Sequence, residues 1–175
     1  MVSRKGRNAV LDTRYAVATV YVQHGAAAKN TCCADSEGVI SVIDVENQVF
    51  NNVAKALRAE FKGIFVVSTD TDAPSSFPAV CFWEQSNVPC AETQTAHSRE
   101  NSAELMYQGN IYSNLVSGGK QQCRKIAAVI DREMTKMGFI RTFGQPVLNP
   151  ADTSISRYVL RYKGIVDRDG YVYTS

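Results

Sequence analysis

The sequence predicts an α+β fold: a mainly antiparallel sheet with two principal helices packed on one face, plus an N-terminal extension. Three observations carry it. Two segments space their apolar residues at helical intervals, and several short runs are rich in β-branched and aromatic residues. The runs follow one another through short loops and end in an Asp-Gly hairpin, the connection pattern of an antiparallel sheet.

The first helix is expected from Asp44, whose carboxylate suits the free N–H groups of a first turn, to about Phe61, before Gly63. Val45, Val49, Val53, Ala56, Leu57 and Phe61 form a broad apolar stripe opposite Asn47, Gln48, Asn51, Lys55 and Arg58. Strands are expected at Ile64-Phe-Val-Val-Ser68, Ala79-Val-Cys-Phe-Trp-Glu84 and Glu104-Leu-Met-Tyr-Gln-Gly-Asn-Ile-Tyr112, with Leu105, Tyr107 and Ile111 on one face. A second helix follows Ser117-Gly-Gly-Lys120, gathers Cys123, Ile126, Ala127, Ile130, Met134 and Met137 in one sector, and stops at Gly138. Phe139-Ile-Arg-Thr-Phe143 and a long strand from Ser156 complete the sheet. In the latter Tyr158, Leu160, Tyr162 and Val166 alternate with Arg157, Val159, Arg161, Lys163 and Ile165, giving one apolar and one basic face. Asp167-Arg-Asp-Gly170 turns the chain into Tyr171-Val-Tyr-Thr174.

At 175 residues the chain accommodates one domain with a sizeable core, over residues 39–175, preceded by an arm over residues 1–38. The arm opens basic and then reads Tyr15-Ala-Val-Ala-Thr-Val-Tyr-Val22. Two readings stand for it: a separate extension with one strand, or the first strand of the main sheet. Nineteen Lys and Arg against seventeen Asp and Glu leave a net charge of only +2, which disfavours nucleic acid as the main ligand. Five cysteines without C-x-x-C spacing fit a reducing compartment. Asp12 and Arg14 interrupt the stretch that would serve a signal peptide, and no run approaches the ~18 apolar residues of a membrane span. The expectation is a protein made in the cytoplasm, without a membrane.

Catalytic signals are weak. Ser117-Gly-Gly-Lys120 resembles half a phosphate-binding loop, but Asn114 stands where its first Gly belongs and Gln121 where a Ser or Thr belongs. Asp70-Thr-Asp72 has the spacing of a calcium loop without its Gly or terminal Glu, and reads as a solvated loop. His24 and His97 are the only histidines, and Cys90 with His97 is a thiol–imidazole pair only if the fold joins them. The vicinal Cys32 and Cys33 read as small thiols rather than a redox switch. No enzymatic activity, catalytic residue, metal or cofactor is expected.

The order of elements from about Val39 to Thr174 resembles the tail terminator (tail completion, or neck) proteins of long-tailed bacteriophages. The likeness lies in Glu46-Asn-Gln-Val-Phe-Asn-Asn-Val53, in Ser76-Phe-Pro-Ala-Val80 leading to Trp83-Glu84, and in Glu104-Leu-Met-Tyr-Gln-Gly-Asn-Ile-Tyr-Ser113. It continues through Met134-Thr-Lys-Met-Gly-Phe-Ile-Arg141, Arg157-Tyr-Val-Leu-Arg-Tyr-Lys-Gly164 and the final aromatic hairpin. Residues 1–38 match no standard part of that family.

The resemblance implies a structural virion protein that forms a six-membered ring on the last ring of the tail tube. Such a ring stops tube polymerisation and offers a surface to the head-side connector, with the genome passing through its lumen. Its implied partners are itself, the tail tube protein and a head-completion protein, and its place is the virion tail or neck after assembly in the host cytoplasm. A ring joins unlike surfaces of neighbouring subunits. Arg141, Arg157 and Arg161 are candidates to pair with Glu60, Glu104 or Asp131 of the next chain. The runner-up is a small nucleic-acid-binding or nuclease-like domain using the basic strand face, and a third reading is a cysteine-dependent enzyme.

Overall fold

A computed structural model of the chain describes residues 42–93 and 100–173. The elements run α1 (Glu46–Glu60), β1 (Phe65–Val67), β2 (Ala79–Pro89), a 3-10 turn (Ala91–Thr93), β3 (Ser102–Ser113), α2 (Gly119–Lys136), β4 (Ile140–Val147), β5 (Ser156–Asp167) and β6 (Val172–Tyr173). The sheet order is β1-β2-β3-β5-β4, with β6 also on β5. Only β1 and β2 are parallel; the other pairs are antiparallel. Two helices and a mainly antiparallel sheet make this the expected α+β fold.

α1 begins two residues later than expected. Asp44 lies just outside it, and its Oδ1 accepts the Glu46 N–H at 3.1 Å, while Val45 occupies the cap without a side-chain bond. Val49, Val53 and Leu57 bury the expected stripe. α2 opens from Gly118 at φ 82° and the chain turns away at Gly138 at φ 93°, backbone that glycine adopts without Cβ strain. Both helices share one core with Val80, Phe82, Leu105, Tyr107, Ile111, Leu160, Tyr162 and Val166, so both lie on one face of the sheet.

The strands reach beyond their sequence patterns. β2 continues from Glu84 to Pro89 because a register shift between Glu84 and Ser86 inserts a bulge. The bulge reverses which face each side chain meets and so ends the apolar text. β4 extends to Val147 through Pro146, which is tolerated at the sheet edge, where a missing N–H breaks no ladder. β1, in contrast, is only three residues long.

Two close approaches hold the sheet to its neighbours. A Cβ on Gly164 would sit 2.7 Å from Phe139 Cδ1 and 2.9 Å from Val172 Cγ1, so the absent side chain lets Phe139 pack on β5. The Tyr107 ring stacks on Phe82 at 5.7 Å between centroids and meets Phe139 edge-on at 5.3 Å. On the opposite face Ala79, Cys81 and Tyr112 form a second, smaller cluster with Phe65, Val67, Phe77, Trp83 and Ile155. The arm over residues 1–38, with its strand expectation, lies outside the described residues.

Candidate interaction surfaces

Strand alternation and ladder register place Arg157, Arg161 and Lys163 of β5 on the face away from the helices, as the sequence predicts. Arg157 stands opposite Tyr112 of β3 and lies over its ring, 5.6 Å from the centroid. Arg161 lies over Phe143 of β4 at the same distance, and its Nε donates to Gln108 Oε1 at 2.8 Å. Beyond Gln108, Asn110 is fully buried and donates to Asp70 Oδ1 at 3.0 Å. The Cys81 thiol lies 3.9 Å from the Thr71 carbonyl. The Asp70-Thr-Asp72 segment keeps both carboxylate residues exposed, as expected of a solvated loop, and is tied to the sheet face through Asp70 and Thr71.

The three acidic candidates already hold cations of their own chain. Glu60 pairs with Arg132, Glu104 with Lys163 at 2.7 Å, and Asp131 with Arg141 at 3.3 Å. Asp131 also accepts the Tyr162 hydroxyl at 3.3 Å. Burial first, and then this carboxylate, push the Tyr162 hydroxyl well above the ordinary phenol range. Of the candidate arginines, Arg157 and Arg161 make no ion pair among the described residues. Arg157 Nε and Tyr112 Oη are both buried without a hydrogen-bond partner there. Burial raises the Tyr112 hydroxyl to about 12, against the lowering effect of Arg157.

The phosphate-loop likeness has a packing explanation. A Cβ on Gly119 would meet Ser156 Oγ at 2.9 Å, and Ser113 donates to Gln122 Oε1 at 2.5 Å. Gly119 thus seats the start of α2 against the ends of β3 and β5, while Ser117 and Gly118 stay exposed. Cys81 and Cys123 are buried, and burial raises both thiols to about 11, which suppresses their thiolate forms. Cys90 closes β2, its N–H donating to the Ser102 carbonyl at 2.9 Å. His24, His97, Cys32 and Cys33 lie outside the described residues. Among the described residues no three His, Cys, Asp or Glu are grouped to hold a metal, and no helix is long and apolar enough to cross a membrane.

Two further surfaces emerge. β4 is the outer strand of the sheet, with seven of its eight residues exposed, and Leu148 beyond it is 72% exposed. Elsewhere Val42, Asp44, Glu46, Glu84, Asn87, Pro89 and Glu100 line an open groove of about 540 Å³. Its four carboxylates come from segments too distant in the chain to form a motif, and a bulge and a turn bring them together. No protein-family model matches the chain, and no curated protein matches it.

Proposed function

We propose that the protein is a structural virion protein that forms a ring, by edge and face contacts and not by a pocket, at the end of a phage tail tube.

 The ring stops tube growth and joins the tail to the head-side connector, with the genome passing through its lumen. It acts without catalysis, in the tail or neck of the virion after assembly in the host cytoplasm. The observation that carries this reading is the outer edge of β4, which pairs with no other strand among the described residues. An eight-residue outer strand presents a row of backbone donors and acceptors, with Ile140 45% and Leu148 72% exposed beside it. A ring needs two unlike surfaces per subunit, and this edge differs in chemistry from the acidic groove and from the arginine face.

Light scattering at low and high salt, alone and with tail-tube protein, followed by negative-stain imaging, tests the proposal. A ring that persists in high salt, or a monomer that becomes a ring on tube ends, is the expected result. A persistent monomer that ignores tubes overturns it.

One observation favours the runner-up, a nucleic-acid-binding domain: Arg157 and Arg161 project from the same face without an acidic partner among the described residues. Binding to DNA that weakens steeply with salt would support that reading.

A further inference from the structure

The groove between the start of α1 and the far end of β2 concentrates negative charge. Asp44 and Glu46 enter from the chain leading into α1, Glu84 from β2, and Glu100 from the segment before β3. Glu100 is only 6% exposed, yet its Oε1 has no hydrogen-bond partner among the described residues. A buried carboxylate oxygen without a donor is unfavourable unless a cationic or N–H group reaches it. The carboxylates do not gather into a metal-holding group among the described residues, and the groove is open, with room of about 540 Å³. That shape and charge suit an extended basic peptide.

The chain contains a basic segment of its own. Arg4-Lys5-Gly6-Arg7 carries three cations in four residues, in a part of the chain that precedes the groove's own lip at Val42. The residues nearest that lip cannot serve, because Asp35 and Glu37 add negative charge. From Arg7 to Val42 the chain can extend ~115 Å, well beyond one subunit. We propose that this groove receives the Arg4–Arg7 segment of a second copy of the chain, strapping neighbouring subunits head to tail. A groove on one copy and a segment on the next are unlike surfaces, the arrangement a ring requires. The inference rests on the ring reading above and adds the contact that holds one subunit to the next.

The test uses full-length chains, one preparation ¹⁴N and the other ¹⁵N, mixed before assembly and treated with a carbodiimide, which joins an amine to a carboxylate as an amide with loss of water. Peptides linking Lys5 to Asp44 or Glu46 and carrying both labels are expected. The Arg4→Glu/Arg7→Glu variant, which keeps the Lys5 reporter, should lower their yield about tenfold, a loss equivalent to roughly 1.4 kcal/mol. Linked peptides of a single label only would mean that each arm folds onto its own groove, and overturn the proposal. So would rings, seen by light scattering in the same sample, without any Lys5 link to the groove; the ring reading would then survive. Mixed-label links in a sample without ring mass would instead overturn the ring and leave the arm exchange standing.

Discussion

Arg157 and Tyr112 are direct partners in the β3–β5 ladder, and the guanidinium lies 5.6 Å from the ring centroid while Arg157 Nε and Tyr112 Oη stay buried without a hydrogen-bond partner among the described residues. Stacking of this kind contributes about 0.5–1 kcal/mol, whereas a buried donor without an acceptor costs about 1–3 kcal/mol. On these figures the cost equals or exceeds the gain, so the arginine adds no net stability to the fold of the isolated subunit.

Arg157→Met should therefore leave the urea midpoint of the monomer unchanged or raise it, by up to about 2 kcal/mol of stability. Its effect should fall on assembly. Ring mass by light scattering is expected to drop in Arg157→Met and further in Arg157→Glu. Intact rings in Arg157→Glu would remove this residue from the subunit contact.

Gly164→Ala should destabilise the domain by about 1–3 kcal/mol, because the new methyl overlaps Phe139 and Val172, both held in the core side of the sheet. Urea denaturation followed by tyrosine fluorescence measures the change. A stability equal to that of the parent chain would mean that Phe139 moves aside freely.

Glu84 gives a pH signature. Burial raises its carboxyl above 4.5, opposed by the Tyr107 hydroxyl, which donates to Oε2 at 3.2 Å. The folded state then holds this proton more tightly than the unfolded chain, so the group's contribution is full below pH 4.5 and is lost as pH rises through the elevated folded value. Glu84→Gln keeps an acceptor for Tyr107 and should become progressively more stable than the parent as pH rises from 4.5. Thermal unfolding of both proteins across this range checks it, and a difference independent of pH would contradict the assignment.

Thiol labelling separates the described cysteines. Iodoacetamide at pH 8 should modify half-buried Cys90 in the native protein and reach Cys81 and Cys123 only after urea, since burial raises both buried thiols to about 11. Peptide mass mapping reads the order, and native labelling of Cys81 or Cys123 ahead of Cys90 would show that the sheet opens locally.

Much of the fold was legible in local patterns. Val49, Val53 and Leu57 recur at helical spacing, and Leu105, Tyr107 and Ile111 alternate along a strand; each set enters the core as expected. Gly138 and Gly170 marked turns because both need a positive φ that other residues adopt reluctantly. The candidate surfaces were less legible. Arg141 and Asp131 stood out as charges for a neighbour, yet the turn after α2 brings them to 3.3 Å within one chain.

Periodicity and turn chemistry are properties of short stretches, so residue order alone was enough for the α+β class, the two helices and the apolar face of β5. Register, edges and charge partners depend on residues far apart in the chain. Folding placed Lys163 on Glu104, made β4 the outer strand among the described residues, and gathered Asp44, Glu46, Glu84 and Glu100 around one groove. Local text carries no trace of such meetings, because strand pairing and helix docking choose them by burying the whole core at once.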